Sequence, residues 1–420
     1  MFSYMVKNEC KQFIKSITCL CCIGLLFIFV YMQMPFSEMI SKSTKPEEGK
    51  SYYGVVYSKN EQDIMERTFA RLVEETASKT YATYTFGIYK EITLSDSDRN
   101  IIINYIEQAT NVEFEELVRQ KEEYFVSLNM SKEATYEEIE SAQCGYVVKP
   151  IETYTYEKFQ ETMTEVAKII GSGSMYEKDQ YSTVQVLASY EDALAEYEDL
   201  ANYDGGTNAL MRLFCDYASI ILMFVPIFIL AIRWRKDEID GVAGVIHSKK
   251  ASSAAIVMSR YIACVGILFI SLILLAGFVE IDYIFSARGS DLPFDYLAFI
   301  KYTCIWLLPQ IMIISSIACM LSECLGYLFA IIIQIILGVV CVLSNGSLVG
   351  DFGYRLLIRW NTFGGHSDFI KESKAYYINR GIYFVLAIVI LVITVVCYEM
   401  HRSRGRRLGV VKRHEESITD

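Results

Sequence analysis

The sequence predicts a membrane α-helical protein, with six transmembrane helices and a large mixed α/β extracytoplasmic domain inserted between the first and second. The 420-residue chain is 53% hydrophobic and has a mean hydropathy of +0.27, values typical of chains that lie largely in lipid. Its charge is uneven: residues 34–208 hold 33 acidic against 16 basic side chains, and the remainder holds 17 acidic against 23 basic. One acidic soluble domain is therefore embedded in a mildly basic membrane protein.

Six windows of the chain are apolar over roughly the 20 residues that cross a hydrocarbon core of about 30 Å. They are Phe13–Gln33, Leu213–Ile232, Tyr261–Val279, Thr303–Leu321, Leu325–Leu343 and Ile382–Tyr398. Lys7 and Lys11 precede the first window and Lys15 lies at its start, so a cleaved signal peptide is the alternative there. An uncleaved anchor is favoured, because the window is long and no small-residue cleavage site follows it.

Basic residues in short flanks are retained in the cytoplasm, which predicts a multi-pass protein with both termini cytoplasmic. The predicted layout is a cytoplasmic N-terminus 1–12, helix 13–33, extracytoplasmic domain 34–208, helix 209–232, cytoplasmic loop 233–260, three helices within 261–345, extracytoplasmic re-entrant or amphipathic loop 346–380, helix 381–398 and basic cytoplasmic tail 399–420. The loop 346–380 follows the fifth predicted span, so counting spans from a cytoplasmic N-terminus places it outside. Because the loop is basic, a cytoplasmic position is its alternative.

The extracytoplasmic domain is predicted to fold around its own core, because apolar residues recur in it with regular periods. Helices are expected around Met65–Val73, Phe114–Phe125 and Phe159–Ile170, and strands in 52–57, 80–94 and 146–151. Its only cysteine is Cys144, so it holds no internal disulfide. Acidic and without a basic aromatic patch, it is not expected to bind nucleic acid.

Sequence motifs for catalysis are missing. The chain has no GxxxxGK[ST] phosphate loop, and its four histidines form neither HExxH nor a zinc spacing with cysteine. These features predict a protein without catalytic residues, metal or cofactor, which does not hydrolyse ATP through a phosphate loop of its own.

The second apolar window leads into the most informative stretch, "FVPIFILAIRWRKDEIDGVAGVIHSKK". Acids near the start of a short helix, glycines that allow close backbone approach and a polar closing turn are typical of a compact cytoplasmic helix between two spans. The residues in these roles are Asp237, Glu238, Gly241, Gly244, Ser248 and Lys249. An ordinary basic loop is the equally simple interpretation of the stretch taken alone.

With the order and spacing of the six windows, this stretch resembles the ABC-2 type transporter permease family over nearly the whole chain. The resemblance implies an exporter subunit in the bacterial plasma membrane, whose short "coupling" helix docks on a separate ABC ATPase subunit. It also implies pairing with a second permease chain, identical or homologous. The alternatives are a multi-span sensor or scaffold whose extracytoplasmic domain binds a ligand, and a membrane-embedded enzyme acting on lipid or glycan.

Polar residues near the spans are the remaining candidates. Arg212 and Asp216 lie one helical turn apart and form a candidate polar pair at the outer end of the second span, either functional or anchoring. Arg355, Arg359 and Trp360 fall in the loop 346–380 and predict an amphipathic segment that rests on anionic lipid headgroups. Pro226 and Pro309 are expected to kink their spans.

Overall fold

The computed structural model describes residues 1–85, 88–129, 135–241, 246, 251–344 and 353–419, and the structural statements below concern this part of the chain. It is mostly helical and divides into two compact units. We call residues Pro46–Ala195 the inserted unit. The helical unit consists of Met1–Lys45 together with Glu196–Asp420.

The elements follow one another along the chain in a helix-rich order. They are α1 (Phe2–Ile14), α2 (Ile17–Gln33), α3 (Phe36–Lys42), β1 (Val55–Ser58), α4 (Glu61–Ser78), β2 (Tyr81–Thr85), β3 (Ile88–Ile92), α5 (Asp96–Thr110), α6 (Phe114–Ser127), α7 (Tyr136–Gly145), α8 (Tyr156–Ile170), α9 (Lys178–Tyr181), β4 (Val184–Leu187), α10 (Tyr190–Asp199), a π-helical segment (Leu200–Asp204), α11 (Gly206–Leu222), α12 (Val225–Ile239), α13 (Ser253–Ser286), α14 (Ala298–Tyr302), a second π-helical segment (Thr303–Leu307), α15 (Leu308–Leu325), α16 (Tyr327–Leu343) and α17 (His366–Thr419).

The helical unit contains several long apolar helices of a membrane-embedded protein. Four are long and apolar enough to cross a bilayer: Gly206–Asp237, Ser253–Ser286, Ala298–Leu325 and His366–Ser403. A fifth is counted if α1 and α2, which are bent by 71° at their junction, form one span. The window predicted at Leu325–Leu343 corresponds to α16, an apolar helix of 17 residues. The described helices thus give four or five candidate spans where the sequence predicts six.

The kinks expected at two prolines coincide with local breaks in helical geometry. The second span is interrupted between Leu222, where α11 ends, and Val225, where α12 begins just before Pro226. The π-helical segment Thr303–Leu307 ends two residues before Pro309. A proline lacks a backbone N–H and its ring crowds the preceding turn, so the i→i−4 hydrogen-bond pattern changes at both places.

The last apolar helix begins earlier than the sequence indicates. Helix α17 starts at His366, whereas the prediction assigned residues 346–380 to a loop. Residues 366–380 are therefore helical, and among the described residues only 353–365 of that range form irregular structure. The charged residues between Asp368 and Arg380 lower the mean hydropathy of any window that includes them. The sequence therefore places the start of this helix after Arg380.

The inserted unit has its own hydrophobic core, as predicted. In α8, Phe159, Met163, Val166 and Ile170 are buried along one stripe, and they join buried residues of α4, α5 and α6 in one cluster. Spacings of three and four residues place such side chains on one helix face, which packs inward. The helices expected around 65–73, 114–125 and 159–170 are all confirmed.

The β content of the inserted unit is smaller than the sequence predicts. It consists of two two-stranded antiparallel sheets, β1 with β4 and β2 with β3. The strand predicted at 146–151 is wrong. The Val148 N–H donates to the carbonyl of Glu66 in α4, and the Ile151 N–H donates to that of Ala109 in α5, so this segment hydrogen-bonds to helices. Strand β4, which completes the first sheet, was missed.

A half-buried carboxylate lies at the end of α4 in the inserted unit. The Tyr176 hydroxyl donates a 2.7 Å hydrogen bond to Glu75 Oε2, and the Ala82 N–H donates to Oε1 at 3.4 Å. Desolvation by burial outweighs these two hydrogen bonds and raises the pKa of Glu75 above its ordinary value. The folded unit therefore binds a proton here more tightly than the unfolded chain does.

This carboxylate gives the inserted unit a predictable pH response. The stability it contributes is fully present below the unfolded pKa, about 4.3 for Glu, and is lost as the pH rises through the raised folded pKa. We expect Glu75→Gln, whose amide oxygen still accepts from Tyr176, to raise the thermal midpoint of the Pro46–Ala195 fragment by a few degrees at pH 8 and by much less at pH 4. Circular dichroism melts measure this; the exposed Glu161→Gln is the control, and an equal gain at both pH values would contradict the assignment.

Candidate functional site

Two clusters of buried charge lie in the helical unit, near the two ends of the span formed by α11 and α12. Arg212 is in the second turn of α11 and Arg233 is in the second half of α12, about 20 residues further on. At the helical rise of about 1.5 Å per residue they are separated by roughly 30 Å, close to the thickness of a hydrocarbon core. We call them the Arg212 cluster and the Arg233 cluster.

The Arg233 cluster joins three helices through four charged side chains. Arg233 donates from Nε and Nη2 to both oxygens of Glu9 in α1, at 2.7 and 2.8 Å. It also donates from Nη1 to Asp237 Oδ1, one turn later in α12, at 2.6 Å. The second oxygen of Asp237 accepts from Arg260 of α13. Two acids and two bases balance, so the buried cluster is neutral overall, and each acid is paired.

Asp237 lies in the last turn of α12 rather than at the start of a separate short helix, which corrects the prediction. Helix α12 runs on from the apolar span to Ile239, so the charged sequence "RWRKDE" extends the span. Gly241 follows with a φ of +64°, a left-handed conformation that favours glycine and ends the helix direction. Gly244, Ser248, Lys249 and the side chain of Glu238 lie outside the described residues.

A second group of polar contacts lies beside the Arg233 cluster. The Trp234 indole N–H donates to Glu323 Oε2 of α15 at 2.9 Å. Glu323 Oε1 lies 2.8 Å from Nδ1 of His401 in α17. Arg260 lies over the Trp234 ring at 4.9 Å from its centroid. Helices α1, α12, α13, α15 and α17 are therefore connected by charged and polar side chains at one level of the helical unit.

The Arg212 cluster is centred on a bidentate ion pair. Arg212 donates from Nη1 to Asp204 Oδ1 at 2.7 Å and from Nη2 to Oδ2 of the same carboxylate. Both side chains are about 1% exposed. Nη2 also donates to the Gly364 carbonyl at 2.9 Å, and the guanidinium lies over the Phe369 ring at 5.0 Å. His366 Nδ1 lies 3.4 Å from Asp204 Oδ1.

The turn before α11 brings Asp204 within reach of Arg212. The π-helical segment ends at Asp204, and Gly205, with a φ of +75°, reverses the chain direction before α11 begins at Gly206. A side chain at Gly205 would place Cβ 2.9 Å from the carbonyl oxygen of Pro293. Glycine at this position therefore permits both the left-handed backbone and the close packing that align the ion pair.

The predicted pairing of Arg212 with Asp216 is wrong, because each residue has a different partner. Asp216, whose side chain is fully buried, accepts from Arg359 Nε at 2.7 Å, while Arg212 binds Asp204. One turn of separation allows an ion pair but does not require it. In the folded protein, Arg212 is paired with a residue of the π-helical segment before α11, and Asp216 with a residue of the segment 353–365.

The irregular segment 353–365 packs inward, contrary to the predicted amphipathic element on lipid headgroups. Leu357, Ile358, Trp360 and Phe363 are buried, and Arg359 points to Asp216. The Arg355 carbonyl accepts from Asn379 Nδ2 of α17 at 2.9 Å. Arg359 and the Arg355 carbonyl therefore connect this segment to α11 and α17, while Tyr354 is exposed.

Among the residues of the two clusters, the sequence did not single out Glu9, Arg233, Asp204 or Arg260 as site candidates. Glu9 is the only acid in a lysine-rich N-terminal helix, and Arg233 and Asp237 have the i, i+4 spacing of a helical ion pair. Both are usable signals. Nothing local marks Asp204 or Arg260, whose partners are 8 and 23 residues away in the chain.

The arrangement is suited to mechanical connection of helices. Paired charges in a low-dielectric interior hold helices in a fixed register, and separating them is costly. Among the described residues, no group of three or more His, Cys, Asp or Glu is placed to hold a metal ion.

No protein-family model matches this chain, and neither the curated proteins nor the solved structures contain a significant match to it.

Proposed function

We propose that the chain is the membrane-spanning permease subunit of an ATP-driven exporter of the ABC-2 type, which works with a separate ATPase subunit and a second permease chain in a bacterial plasma membrane. The observation that carries the proposal is the position of the Arg233 cluster. It includes Asp237, the last charged residue of α12 that the structure describes, directly before the segment 238–249 in which the sequence indicates a docking helix.

The cluster supplies a route for force from that segment to the spans. A partner that displaces the segment pulls on the end of α12, and the ion pairs of Arg233 and Asp237 transmit the displacement to Glu9 in α1 and Arg260 in α13. Buried ion pairs resist separation, since a lone buried charge is penalised by several kcal/mol. Three helices then move together instead of α12 alone.

The breaks in two spans support a moving membrane subunit. The interruption between α11 and α12 and the π-helical segment before Pro309 lie within the candidate spans Gly206–Asp237 and Ala298–Leu325. Irregular backbone at membrane depth is tolerated where neighbouring helices satisfy its polar groups. Here the Gln310 side chain donates to the Ser219 carbonyl at 2.8 Å, close to the first of these breaks.

The test is reconstitution with the ATPase encoded by a neighbouring gene. We expect the full-length chain in proteoliposomes to bind this ATPase and to raise its rate of hydrolysis, and expect Glu238→Arg with Gly241→Arg to abolish both effects. Glu61→Arg, an exposed change in the inserted unit, is the matched control. An ATPase that never binds the chain, or that binds the double variant equally well, would overturn the proposal.

A multi-span sensor is the second candidate, favoured by the separate core of the inserted unit. That unit also has a cleft of about 330 Å³ lined by Arg67, Arg71, Phe125 and Tyr146, among others. A sensor would bind its ligand through the isolated Pro46–Ala195 fragment, and ATPase binding would be dispensable. Ligand binding with no effect of the ATPase in the same proteoliposomes would favour this candidate.

A further inference from the structure

The N-terminal helix α1 differs from the apolar helix that follows it. Helix α2 contains 17 residues and no charged side chain, and at about 1.5 Å per residue it is roughly 26 Å long, nearly enough to cross a hydrocarbon core without help. Helix α1 carries Lys7, Glu9 and Lys11 and is bent from α2 by 71°. A helix at this angle to a span runs more nearly along the membrane surface than through it.

The charges of α1 are divided by sign between two opposite faces. Glu9 and Phe13 are buried, and Glu9 binds Arg233 in the helical unit. Lys7 and Lys11, with Lys15 at the C-terminal cap, are exposed and recur every four residues, which places them on one face away from Glu9. Among the side chains that the structure describes, none forms an ion pair or hydrogen bond with these three lysines.

The lysine face also carries exposed apolar side chains. Tyr4 is 75% exposed and Ile14 is 57% exposed, and both lie on the same side of α1 as the lysines by helical spacing. Ile17, at the start of α2, is 78% exposed. Aromatic, aliphatic and lysine side chains together are the combination that the boundary between headgroups and acyl chains accommodates.

We propose that this face, made of Tyr4, Lys7, Lys11, Ile14 and Lys15, is a binding surface for anionic phospholipids. Helix α1 lies in the headgroup layer, where its lysine ammonium groups contact lipid phosphates while Tyr4 and Ile14 enter the upper acyl region. The occupant is a lipid surface because the lysines have no acidic partner among the described residues, while Glu9 on the opposite face is already paired with Arg233.

The expected strength of binding to an anionic lipid surface follows from the number of lysines on this face. Each lysine near an anionic surface strengthens binding roughly fivefold, so three lysines together contribute roughly 100-fold. The effect decreases with salt, since the Debye length falls to about 3 Å at 1 M. Binding of a zwitterionic lipid with the same acyl chains lacks most of this contribution.

The experiment is a lipid titration of the full-length protein in detergent, followed by native mass spectrometry. The probes are phosphatidylglycerol and phosphatidylcholine with matched chains. We expect Lys7→Gln/Lys11→Gln/Lys15→Gln to remove the preference for phosphatidylglycerol over phosphatidylcholine and to leave phosphatidylcholine binding unchanged. Lys7→Arg/Lys11→Arg/Lys15→Arg, which keeps the three positive charges, should still prefer phosphatidylglycerol to phosphatidylcholine. Lys59→Gln/Lys149→Gln/Lys178→Gln, three exposed lysines of the inserted unit, is the matched control.

A second measurement needs no variant. Amide hydrogen exchange of residues 2–14 should be slower in phosphatidylglycerol nanodiscs than in phosphatidylcholine nanodiscs, and high salt should remove the difference. Equal exchange in the two lipids would overturn the proposal, as would a glutamine triple variant that binds phosphatidylglycerol as tightly as the native chain.

Discussion

Replacing Arg212 with methionine is expected to destabilise the helical unit by about 3–5 kcal/mol, because it leaves the Asp204 carboxylate buried without its partner. The native pair is bidentate and about 1% exposed on both sides, so little water reaches the carboxylate. The same substitution removes the hydrogen bond to the Gly364 carbonyl. Thermal unfolding of the detergent-purified protein, followed by intrinsic fluorescence, measures the loss.

A double variant distinguishes the effect of an unpaired buried charge on stability from the effect of lost side-chain packing. Arg212→Met combined with Asp204→Leu removes both charges, and we expect it to be clearly more stable than Arg212→Met alone, since an apolar pair often replaces a buried ion pair at little cost. Arg119→Met, which removes the exposed partner of Glu116, is the control and should not change the midpoint measurably. A double variant as unstable as the single one would contradict the assignment to charge.

Replacing Asp237 with leucine is expected to have an effect of similar size, about 3–5 kcal/mol, because Arg233 and Arg260 then share Glu9 as their only acid in the cluster. A net positive charge remains buried, and the connection between α12 and α13 is lost. We expect a shorter half-life at elevated temperature and faster amide exchange in α1. Both are measured on the full-length protein in detergent.

The matched control for this prediction is Asp240→Leu, three residues further on, where the carboxylate is exposed. Its effect should be small. Asp237→Leu/Arg260→Met restores neutrality by leaving the Glu9–Arg233 pair intact, and it should recover part of the stability. If Asp237 and Asp240 variants behave alike, the cluster does not hold the helices together as described.

Local spacing indicates the Arg233–Asp237 pair, but it does not indicate that Arg212 binds Asp204, that Glu9 binds Arg233 or that Arg260 binds Asp237. Sequence reasoning selected Arg212 and Asp216 because charged residues in or near apolar spans are rare, Asp237 as an acid of the predicted coupling helix, and Arg359 as part of a predicted amphipathic loop. It then paired Arg212 with its neighbour one turn away. The structure pairs Arg212 with Asp204 and Asp216 with Arg359, across separations of 8 and 143 residues.

The roles predicted for individual residues remain predictions. Within the proposed docking segment the structure describes residues 238–241 and 246. What it adds is that Asp237 belongs to a buried ionic cluster, which makes the end of α12 a point where three helices are joined.

The sequence alone determined that this is a membrane-embedded helical protein with an acidic insertion, because the amino-acid composition and the hydrophobic period reveal both features. The 3.6-residue period also located the main helices of the inserted unit. Only the tertiary structure decided which charges meet, that the segment 353–365 packs inward, and that residues 146–151 bond to helices instead of forming a strand. Periodicity reports which face of an element is buried, whereas the partner on that face depends on chain segments far away in sequence.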